Sequence, residues 1–265
     1  MPQIVIATKH QKGHLIAPLL APLGYEVSET GAFDTDSLGT FSGEIARTCS
    51  PEQAAYIKAK QACLKSDTEF GLGSEGSFTS GPYFGLMTHN TEILCLYQRS
   101  TDRTIYAQAS GAFAPRGLTI DEQTTSETVA QTCAKFEDQH WILTLPNALE
   151  KGLSLCQLQA RLNDYKPQSG HITPDLRAMN SPQRQLMIIK AAKDLVRRLN
   201  AKCPECDTAN FVIKKALPGL ICGQCSLPTK QIKTYVSHCD HCQFSLSVPS
   251  KNTEGDPTYC QLCNP

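Results

Sequence analysis

Apolar and polar residues alternate along the N-terminal part of the chain in blocks that predict strands and helices in turn. Residues 4–8 form a short β-branched run, residues 15–23 carry apolar positions at helical spacing, and Gly24 follows them. This is the pattern of a strand, a polar turn, a helix that ends at a glycine, and a second strand beginning at 25–27. Such an opening predicts an α/β domain.

The same pattern continues to about residue 200. Ser50 and Pro51 stand before an apolar-periodic segment, as the N-cap and first residue of a helix that runs to residue 64. The other predicted elements are strands at 70–73, 92–97, 104–108 and 141–145, and helices at 126–134, 155–162 and 183–199. The sequence therefore predicts an α/β fold with a mixed sheet flanked by helices over residues 1–200.

Composition and charge narrow the classes of function. The chain has 265 residues, 40% of them hydrophobic, and 25 Lys and Arg balance 25 Asp and Glu. Because there is no cationic excess, sequence-independent binding to phosphate backbones is not expected. The N-terminus lacks the basic and apolar regions of a signal peptide, and no apolar run is long enough to cross a bilayer. We expect a cytoplasmic protein without membrane association.

Eight of the thirteen cysteines fall in Cys-x-x-Cys pairs near the C-terminus. Two intervening residues form a tight turn that aims both sulfur atoms at one metal ion. Fifteen residues separate the first two pairs and seventeen the last two, as in two successive four-cysteine zinc sites. We predict a small zinc-ribbon domain, residues 201–265, that holds two structural zinc ions. Its ligands are Cys203, Cys206, Cys222, Cys225, Cys239, Cys242, Cys260 and Cys263.

The pairing of these cysteines and the partner of the module are open at this point. Sequential pairing, first with second and third with fourth, is our prediction, although spacing also permits a cross-braced arrangement in which alternate pairs combine. His238 and His241 are expected to be turn residues beside an all-cysteine site. Eight thiolates with two Zn²⁺ make the module mildly acidic. This favours a structural or protein-contact role over nucleic-acid binding. The partner that the ribbons would dock is a protein or, as the open alternative, RNA.

Basic and acidic residues after the first two predicted strands are candidate phosphate and Mg²⁺ ligands. Lys9, His10 and Lys12 follow the first strand, where a strand-to-helix turn can bind a phosphate; the alternative is a solvated basic turn. The polar segment 33–47 offers carboxylates for Mg²⁺ and an arginine for phosphate, unless its aspartates are turn and cap residues. The candidates in that segment are Asp34, Asp36, Glu44 and Arg47.

Two further polar groups complete the candidate site. Glu75 follows the predicted strand 70–73 between small residues, Ser74 and Ser77 among them, and open α/β sheets place chemistry at such strand ends. We select Glu75 as the catalytic or metal-binding carboxylate. A second polar cluster precedes the last helix; it suits either anion binding or an Arg–Asp pair that clamps the loop. Its members are Asp175, Arg177, Asn180 and Arg184.

With these motifs in view, the chain resembles a bacterial family that has a domain of unknown function and a C-terminal zinc ribbon. The resemblance follows the order of the whole chain. The residues that carry it are Ala7-Thr8-Lys9-His10, Asp34-Thr35-Asp36, Leu38 to Phe41, Gly43-Glu44-Ile45, Ser74 to Phe78, Asp175, Arg177 to Asn180, Pro182, Arg184, and Asp256-Pro257 to Pro265.

The N-terminal segment is also similar, with one gap, to the first strand and helix of the inosine-triphosphate pyrophosphatase group. Lys58-Ala59 near a helix end, followed by a strand and an acidic Ser-Glu-Gly, extends the similarity. The resemblance implies that Lys12 contacts phosphate and that Glu75 holds Mg²⁺ or activates water. A glutamate of that group falls at Gln53 here, which puts catalysis in doubt.

Two hypotheses of different classes follow. In the first, the protein is a Mg²⁺-dependent phosphohydrolase that acts on a nucleotide or a nucleotide-bearing substrate, with Glu75, Asp34 and Asp36 as its catalytic residues. In the second, it is a non-catalytic adaptor whose zinc ribbons dock a protein or RNA. Candidate residues gathered in one cleft favour the first hypothesis, and candidates on separate faces favour the second.

Overall fold

The chain divides into two compact units, Met1–Val196 and Arg197–Pro265. The structure is a computed structural model, and it describes residues 1–32, 35, 49–80, 88–164 and 169–265. Four candidate site residues lie outside the described residues, so their predicted roles stay predictions: Asp34, Asp36, Glu44 and Arg47.

Five described strands of the first unit form one mixed sheet in the order β2-β1-β3-β4-β5. Strand β1 pairs in parallel with both β2 and β3, whereas β3, β4 and β5 are antiparallel neighbours. The predicted mixed α/β sheet is confirmed. The bounds of its strands are β1 Gln3–Ala7, β2 Glu26–Thr30, β3 Phe70–Ser80, β4 Thr88–Gln98 and β5 Arg103–Phe113.

Helices α1 (Gly13–Leu20) and α2 (Pro51–Lys65) begin and end close to their predicted bounds. A short 3-10 turn follows α1 and ends at Gly24, whose φ of 82° is in the left-handed region that glycine favours. At the start of α2, the Ser50 side chain accepts from Gln53 N and the Gln53 side chain accepts from Ser50 N. Gln53 thus completes a capping box, a structural reason for a glutamine at this position.

Helix α2 packs closely on the sheet because β3 carries glycines beneath it. The helix places Ala55, Ala59 and Cys63 against the face of β4 that bears Ile93 and Cys95. A Cβ at Gly73 would overlap the carbonyl oxygen of Ala55. The absent side chain therefore sets the distance between helix and sheet.

Gly73→Ala is expected to lower the free energy of unfolding by roughly 3 kcal/mol, since the added methyl group meets helix backbone that cannot move alone. Urea unfolding followed by the fluorescence of Trp141 measures the change. Gly31→Ala is the control, because a Cβ there meets nothing within 4 Å. Equal unfolding midpoints for the two variants would contradict the prediction.

Strand β3 is longer than the sequence predicted, and this changes the setting of Glu75. The strand continues through Ser80 because β4 pairs with it over its whole length, from Phe70↔Gln98 to Ser80↔Thr88. Pairing with β1, however, ends at Ile6↔Leu72. The prediction that Glu75 lies at the end of its own strand is therefore wrong. Glu75 lies within β3, just past the point where the neighbouring strand β1 ends.

Antiparallel strands of the first unit also form a second sheet, in the order β6-β9-β7-β8. Helices α3 (Ser126–Cys133) and α4 (Leu155–Asp164) contribute Val129, Cys133, Leu158 and Leu162 to an apolar cluster with the fully buried Trp141. Strand β7 and both helices match their predicted positions, whereas β6, β8 and β9 were not predicted. The strand bounds are β6 Leu118–Asp121, β7 Trp141–Leu145, β8 Ala148–Leu153 and β9 Ser169–Pro174.

The second unit is built around a three-stranded antiparallel sheet, β10-β11-β12. Its strands are β10 Val212–Pro218, β11 Ile232–His238 and β12 Ser245–Pro249, and most of their residues are exposed or half-buried. Helix α5 (Pro182–Asn200) runs from the first unit into the start of the second, which begins at Arg197. Among the described residues, no helix is both long and apolar enough to cross a membrane.

Candidate functional site

A cleft of about 630 Å³ opens in the first unit where β1 ends and β3 continues. One wall comes from the five-stranded sheet and its loops, and the other from β7, β8, β9 and the loop that follows β9. The described residues that line it are Ala7, Thr8, Lys9, His10, Lys12, Thr35, Lys58, Ser74, Glu75, Gly76, Ile142, Thr144, Leu149, Lys151, Thr173, Pro174, Asp175, Leu176, Arg177 and Met179. The sheet thus places the β1 turn and Glu75 at one opening.

Lys12 is a buried cation that lines this cleft. Its Nζ donates to Ser74 Oγ at 3.0 Å and to the Ser74 carbonyl oxygen at 3.4 Å. Burial, together with the positive charges of Arg184 and Lys58, lowers the pKa of Lys12 from 10.5 to about 8, although Glu92 and Glu75 partly oppose the shift. A lysine in this setting gains from a nearby anion, because an anion restores the stability of its charged form.

The N-terminus of α1, next to Lys12, already has an acceptor. Gly13 N donates to Glu29 Oε1 at 2.6 Å, so the carboxylate of Glu29 occupies the place predicted for a phosphate. The β1 turn is ordered in addition by a hydrogen bond from His10 N to Thr8 Oγ1. The cationic side chains of the turn, rather than the helix terminus, therefore face the cleft.

Lys58 and Glu75 form a buried ion pair in the wall of the cleft. Lys58 Nζ lies 2.5 Å from Glu75 Oε2, and the side chains are 11% and 5% exposed. Helix α2 and strand β3 bring the two residues together across the face that holds Ala55 and Ala59. Lys58 was not among the predicted site residues, since a lysine on a predicted helix is usually solvated.

A second ion pair, between Glu92 and Arg184, lies fully buried. Arg184 Nε lies 2.6 Å from Glu92 Oε1 and Nη2 lies 3.0 Å from Oε2. Burial alone would raise the pKa of Glu92, but Arg184 and Lys12 outweigh it and the pKa is lowered. Gly76 leaves room for the pair, because a Cβ there would overlap the guanidinium.

This position corrects the prediction that Arg184 faces an anion in the site. Its guanidinium is held by Glu92 and also donates to the carbonyl oxygen of Leu176, in the loop that lines the cleft. Arg184 therefore connects β4, through Glu92, to the loop that contains Leu176.

The loop after β9 is organised by Asp175. Its carboxylate accepts from Arg177 Nε and Nη2 at 3.0 and 2.6 Å, and from Asn180 Nδ2 at 2.7 Å. Burial would raise the pKa of Asp175, but these hydrogen bonds outweigh it and the pKa is lowered. Of the two predicted alternatives, the Arg–Asp clamp is the one observed, with Arg177 lining the cleft.

The charges around the cleft are unequal. Its described lining contains five cations, Lys9, Lys12, Lys58, Lys151 and Arg177, and two carboxylates, Glu75 and Asp175, a difference of +3. The predicted residues Lys9, His10, Lys12, Ser74, Glu75, Asp175 and Arg177 share this cleft, whereas Ser77, Asn180 and Arg184 lie outside its lining.

The second unit, which is described throughout, gathers its eight paired cysteines into two tetrads. The first is Cys203, Cys206, Cys239 and Cys242, and the second is Cys222, Cys225, Cys260 and Cys263. Sulfur atoms approach to 3.6 Å in the first tetrad and to 3.5 and 3.9 Å in the second. Tetrahedral zinc with bonds of about 2.3 Å places sulfur atoms about 3.8 Å apart. Each tetrad can therefore hold a metal ion.

The predicted sequential pairing is wrong, and the strands explain why. Strand β10 stands between the first and second pairs, and its seven residues separate them by about 23 Å. Strand β11 returns alongside it, with His238 opposite Val212, so the third pair reaches the first. A bridge between Cys222 and Gly255 brings the fourth pair to the second. The module is cross-braced.

The fold and the tetrads define a class of protein: a mixed α/β unit joined to a module with two four-cysteine clusters that can each hold a metal ion. The chain belongs to the family described as Domain of unknown function (DUF6671), which matches residues 58–265. No curated protein matches it. The matched range includes Lys58, Glu75 and both tetrads, but not Lys12.

Proposed function

We propose that the first unit binds a nucleotide or another phosphorylated small molecule in the cleft and hydrolyses it with Mg²⁺. The observation that carries the proposal is the excess of three positive charges around a cleft of about 630 Å³. Cavities of this size hold small molecules, and positive charge selects anionic ones. Lys9, Lys12 and Arg177 are the residues proposed to neutralise phosphate oxygen atoms.

The similarity to the inosine-triphosphate pyrophosphatase group supports the same assignment. By that similarity, Lys12 is the phosphate lysine and Glu75 is the carboxylate that holds metal or orients water. Both residues line the cleft, with Ser74 beside them. The hydrolase hypothesis requires that these residues share one cleft, and their common position supports it.

The described donors suit Mg²⁺ only in part. Mg²⁺ commonly takes one or two carboxylates together with substrate phosphates, and it would neutralise phosphate charge when bound. Of the two carboxylates in the described lining, Asp175 is held by Arg177 and Asn180, and Glu75 by Lys58. The similarity to the pyrophosphatase group makes Glu75 the proposed ligand. Asp34, Asp36 and Glu44 are proposed to complete the set.

A panel of nucleoside triphosphates tests the function directly. The purified protein with Mg²⁺ is expected to release pyrophosphate or phosphate from at least one member, and that member should raise the melting temperature. Lys60→Met is a suitable control, because Lys60 lies on α2 outside the cleft, against Tyr56 and Tyr97. If no nucleotide is hydrolysed and none shifts the melting temperature, the proposal is abandoned.

Binding of a phosphorylated ligand is expected to weaken as pH rises through about 8. Lys12 is charged below its pKa of about 8 and neutral above it, and the charged form attracts phosphate. Affinity for a non-hydrolysable triphosphate should fall roughly tenfold between pH 7 and 9. The ligand's own charge is nearly constant there, since phosphate groups lose their last proton near pH 6.

Calorimetric titration at each pH measures this dependence. Lys12→Arg should flatten the profile, because an arginine keeps its charge over the whole range. Equal affinity of the unmodified protein at pH 7 and 9 would show that Lys12 does not contact the ligand.

We further propose that the metal in both tetrads is zinc with a structural role. Four thiolates without an open position are typical of structural zinc.

A second candidate function, an adaptor that docks a protein, is favoured by exposed apolar side chains on one face of β10-β11-β12. Ile213 and Leu246 lie opposite Ser237, and Val248 lies opposite Tyr235. The nucleotide panel separates the two functions, since an adaptor leaves every nucleotide intact.

A further inference from the structure

The carboxylate proposed for Mg²⁺ already holds a cation from the protein itself. Lys58 Nζ lies 2.5 Å from Glu75 Oε2, and both side chains are almost fully buried. Each residue comes from a regular element, α2 or β3, so the contact is set by the packing of helix on sheet. In the absence of a ligand, the ammonium group of Lys58 compensates the Glu75 charge.

The same carboxylate oxygen cannot serve both cations. Magnesium binds carboxylate oxygen at about 2.0–2.1 Å, so a metal ion on Glu75 would stand close to the Lys58 ammonium. Like charges at such a distance repel strongly in a partly dry site. Lys12 adds a further positive charge nearby, since the opposite charge of Glu75 acts to raise the pKa of Lys12. A metal ion on Glu75 is therefore disfavoured while Lys58 stays on Oε2.

An anionic ligand supplies the reason for Lys58 to leave. Both residues of the pair line the cleft, so a phosphate group bound there is within the range of a flexible lysine side chain. The exchange conserves pairing: the ammonium moves from carboxylate to phosphate, and the carboxylate becomes available to the metal ion that accompanies the phosphate.

We propose that Lys58 sets the order of binding: it occupies Glu75 until an anionic ligand draws it away, so that Mg²⁺ binds with the anion and not before it. This inference rests on the proposed function. It assigns to Lys58, which sequence patterns place on a solvated helix face, the task of keeping free metal out of the site.

Titration calorimetry on the full-length protein tests the order. With MgCl₂ alone we expect no measurable binding of Mg²⁺, because the Lys58 ammonium group repels the cation. A non-hydrolysable nucleoside triphosphate is expected to bind without Mg²⁺, and Mg²⁺ should then bind at least about tenfold more tightly to the loaded protein. The buffers omit strong chelators, which would strip the cysteine tetrads.

Variants at the ion pair give a readout that does not depend on hydrolysis. In Lys58→Met the carboxylate of Glu75 loses the ammonium group bound to Oε2, so Mg²⁺ alone should bind at least about tenfold more tightly than it does to the unmodified protein and should raise the melting temperature. Lys58→Met/Glu75→Gln should lose both responses. Lys60→Met removes the same charge from the same helix and should behave as the parent.

The outcomes separate the order of binding from the proposed function. If Mg²⁺ alone binds the unmodified protein as tightly as it binds the loaded protein, the order is wrong while nucleotide binding stands. If Lys58→Met folds and gains no affinity for Mg²⁺, the order is also wrong. If neither the nucleotide nor the nucleotide with Mg²⁺ binds, the proposed function itself fails. Should Lys58→Met not fold, the titrations of the unmodified protein still decide.

Discussion

Lys12→Met is expected to give a protein that is more stable at pH 7 and binds phosphorylated ligands 10- to 100-fold more weakly. The pKa of Lys12, lowered from 10.5 to about 8, corresponds to roughly 3 kcal/mol against the charged form. Methionine removes the charge and keeps much of the volume, while the lost hydrogen bonds to Ser74 cost about 1 kcal/mol. A net gain of about 1–2 kcal/mol follows.

The sign of the effect also fixes its pH dependence. Because the folded-state pKa is below the unfolded value, the unfolded chain binds more protons between about pH 8 and 10.5, and stability from this group rises with pH there. The advantage of Lys12→Met should therefore be greatest below pH 8 and vanish near pH 10.5. Urea unfolding at pH 7 and 10, followed by Trp141, measures it.

Lys60→Met is again the control, with unchanged ligand affinity. A Lys12→Met protein that is less stable than the parent at pH 7 would show that the buried charge is well compensated. A Lys12→Met protein with unchanged ligand affinity would remove Lys12 from the site.

Removing cysteines pair by pair should leave either one metal ion or none, depending on which pairs are removed. Replacing the first and third pairs by serine destroys one tetrad and spares the other, so one zinc ion per chain should remain. Replacing the first and second pairs takes two ligands from each tetrad, so neither should bind tightly. Sequential pairing predicts the reverse. Zinc content after dialysis is the measurement.

Cobalt substitution gives a second readout of the same variants. The variant without the first and third pairs should keep the absorption of a four-thiolate tetrahedral site at half the parental intensity, and the other variant should lose it. Cys156→Ser, at an exposed cysteine outside the module, should retain two ions. Because metal binding contributes much of the folding energy of such modules, loss of both ions should also unfold the second unit.

The N-terminal part of the fold was predictable because its signals are local. A glycine with positive φ ends the turn after α1, and a capping box begins α2, at the residues the pattern indicated. Strands β6, β8 and β9 escaped prediction because they are four to six residues long and carry polar side chains such as Thr119, Lys151 and His171. Their stability comes from pairing with distant strands, which a local pattern does not contain.

The candidate site divides in the same way. Lys12 was identified because it follows the end of β1, where chemistry is commonly placed. Glu75 was selected as a residue at the end of its own strand; β3 in fact continues past it, and Glu75 lies beyond the end of β1. Lys58 was missed because its partner is 17 residues away and on another element. Arg184 was placed in the site by its polar neighbours, yet its partner Glu92 lies 92 residues away. Long-range ion pairs and the alternating use of cysteine pairs depend on which distant segments the fold brings together. A local sequence pattern does not contain that information.

The cross-braced tetrads also bear on how the second unit can be made. The chain segments that the two tetrads enclose overlap, because Cys222 and Cys225 of one tetrad lie between Cys206 and Cys239 of the other. During synthesis the first tetrad has only two ligands until Cys239 and Cys242 emerge. Cys242 follows Cys203 by 39 residues. A metal ion cannot then be loaded hairpin by hairpin. The first site is complete only once Cys242 has emerged, and the second only once Cys263 has emerged. Metal supply late in synthesis is therefore a condition for the folding of the whole unit.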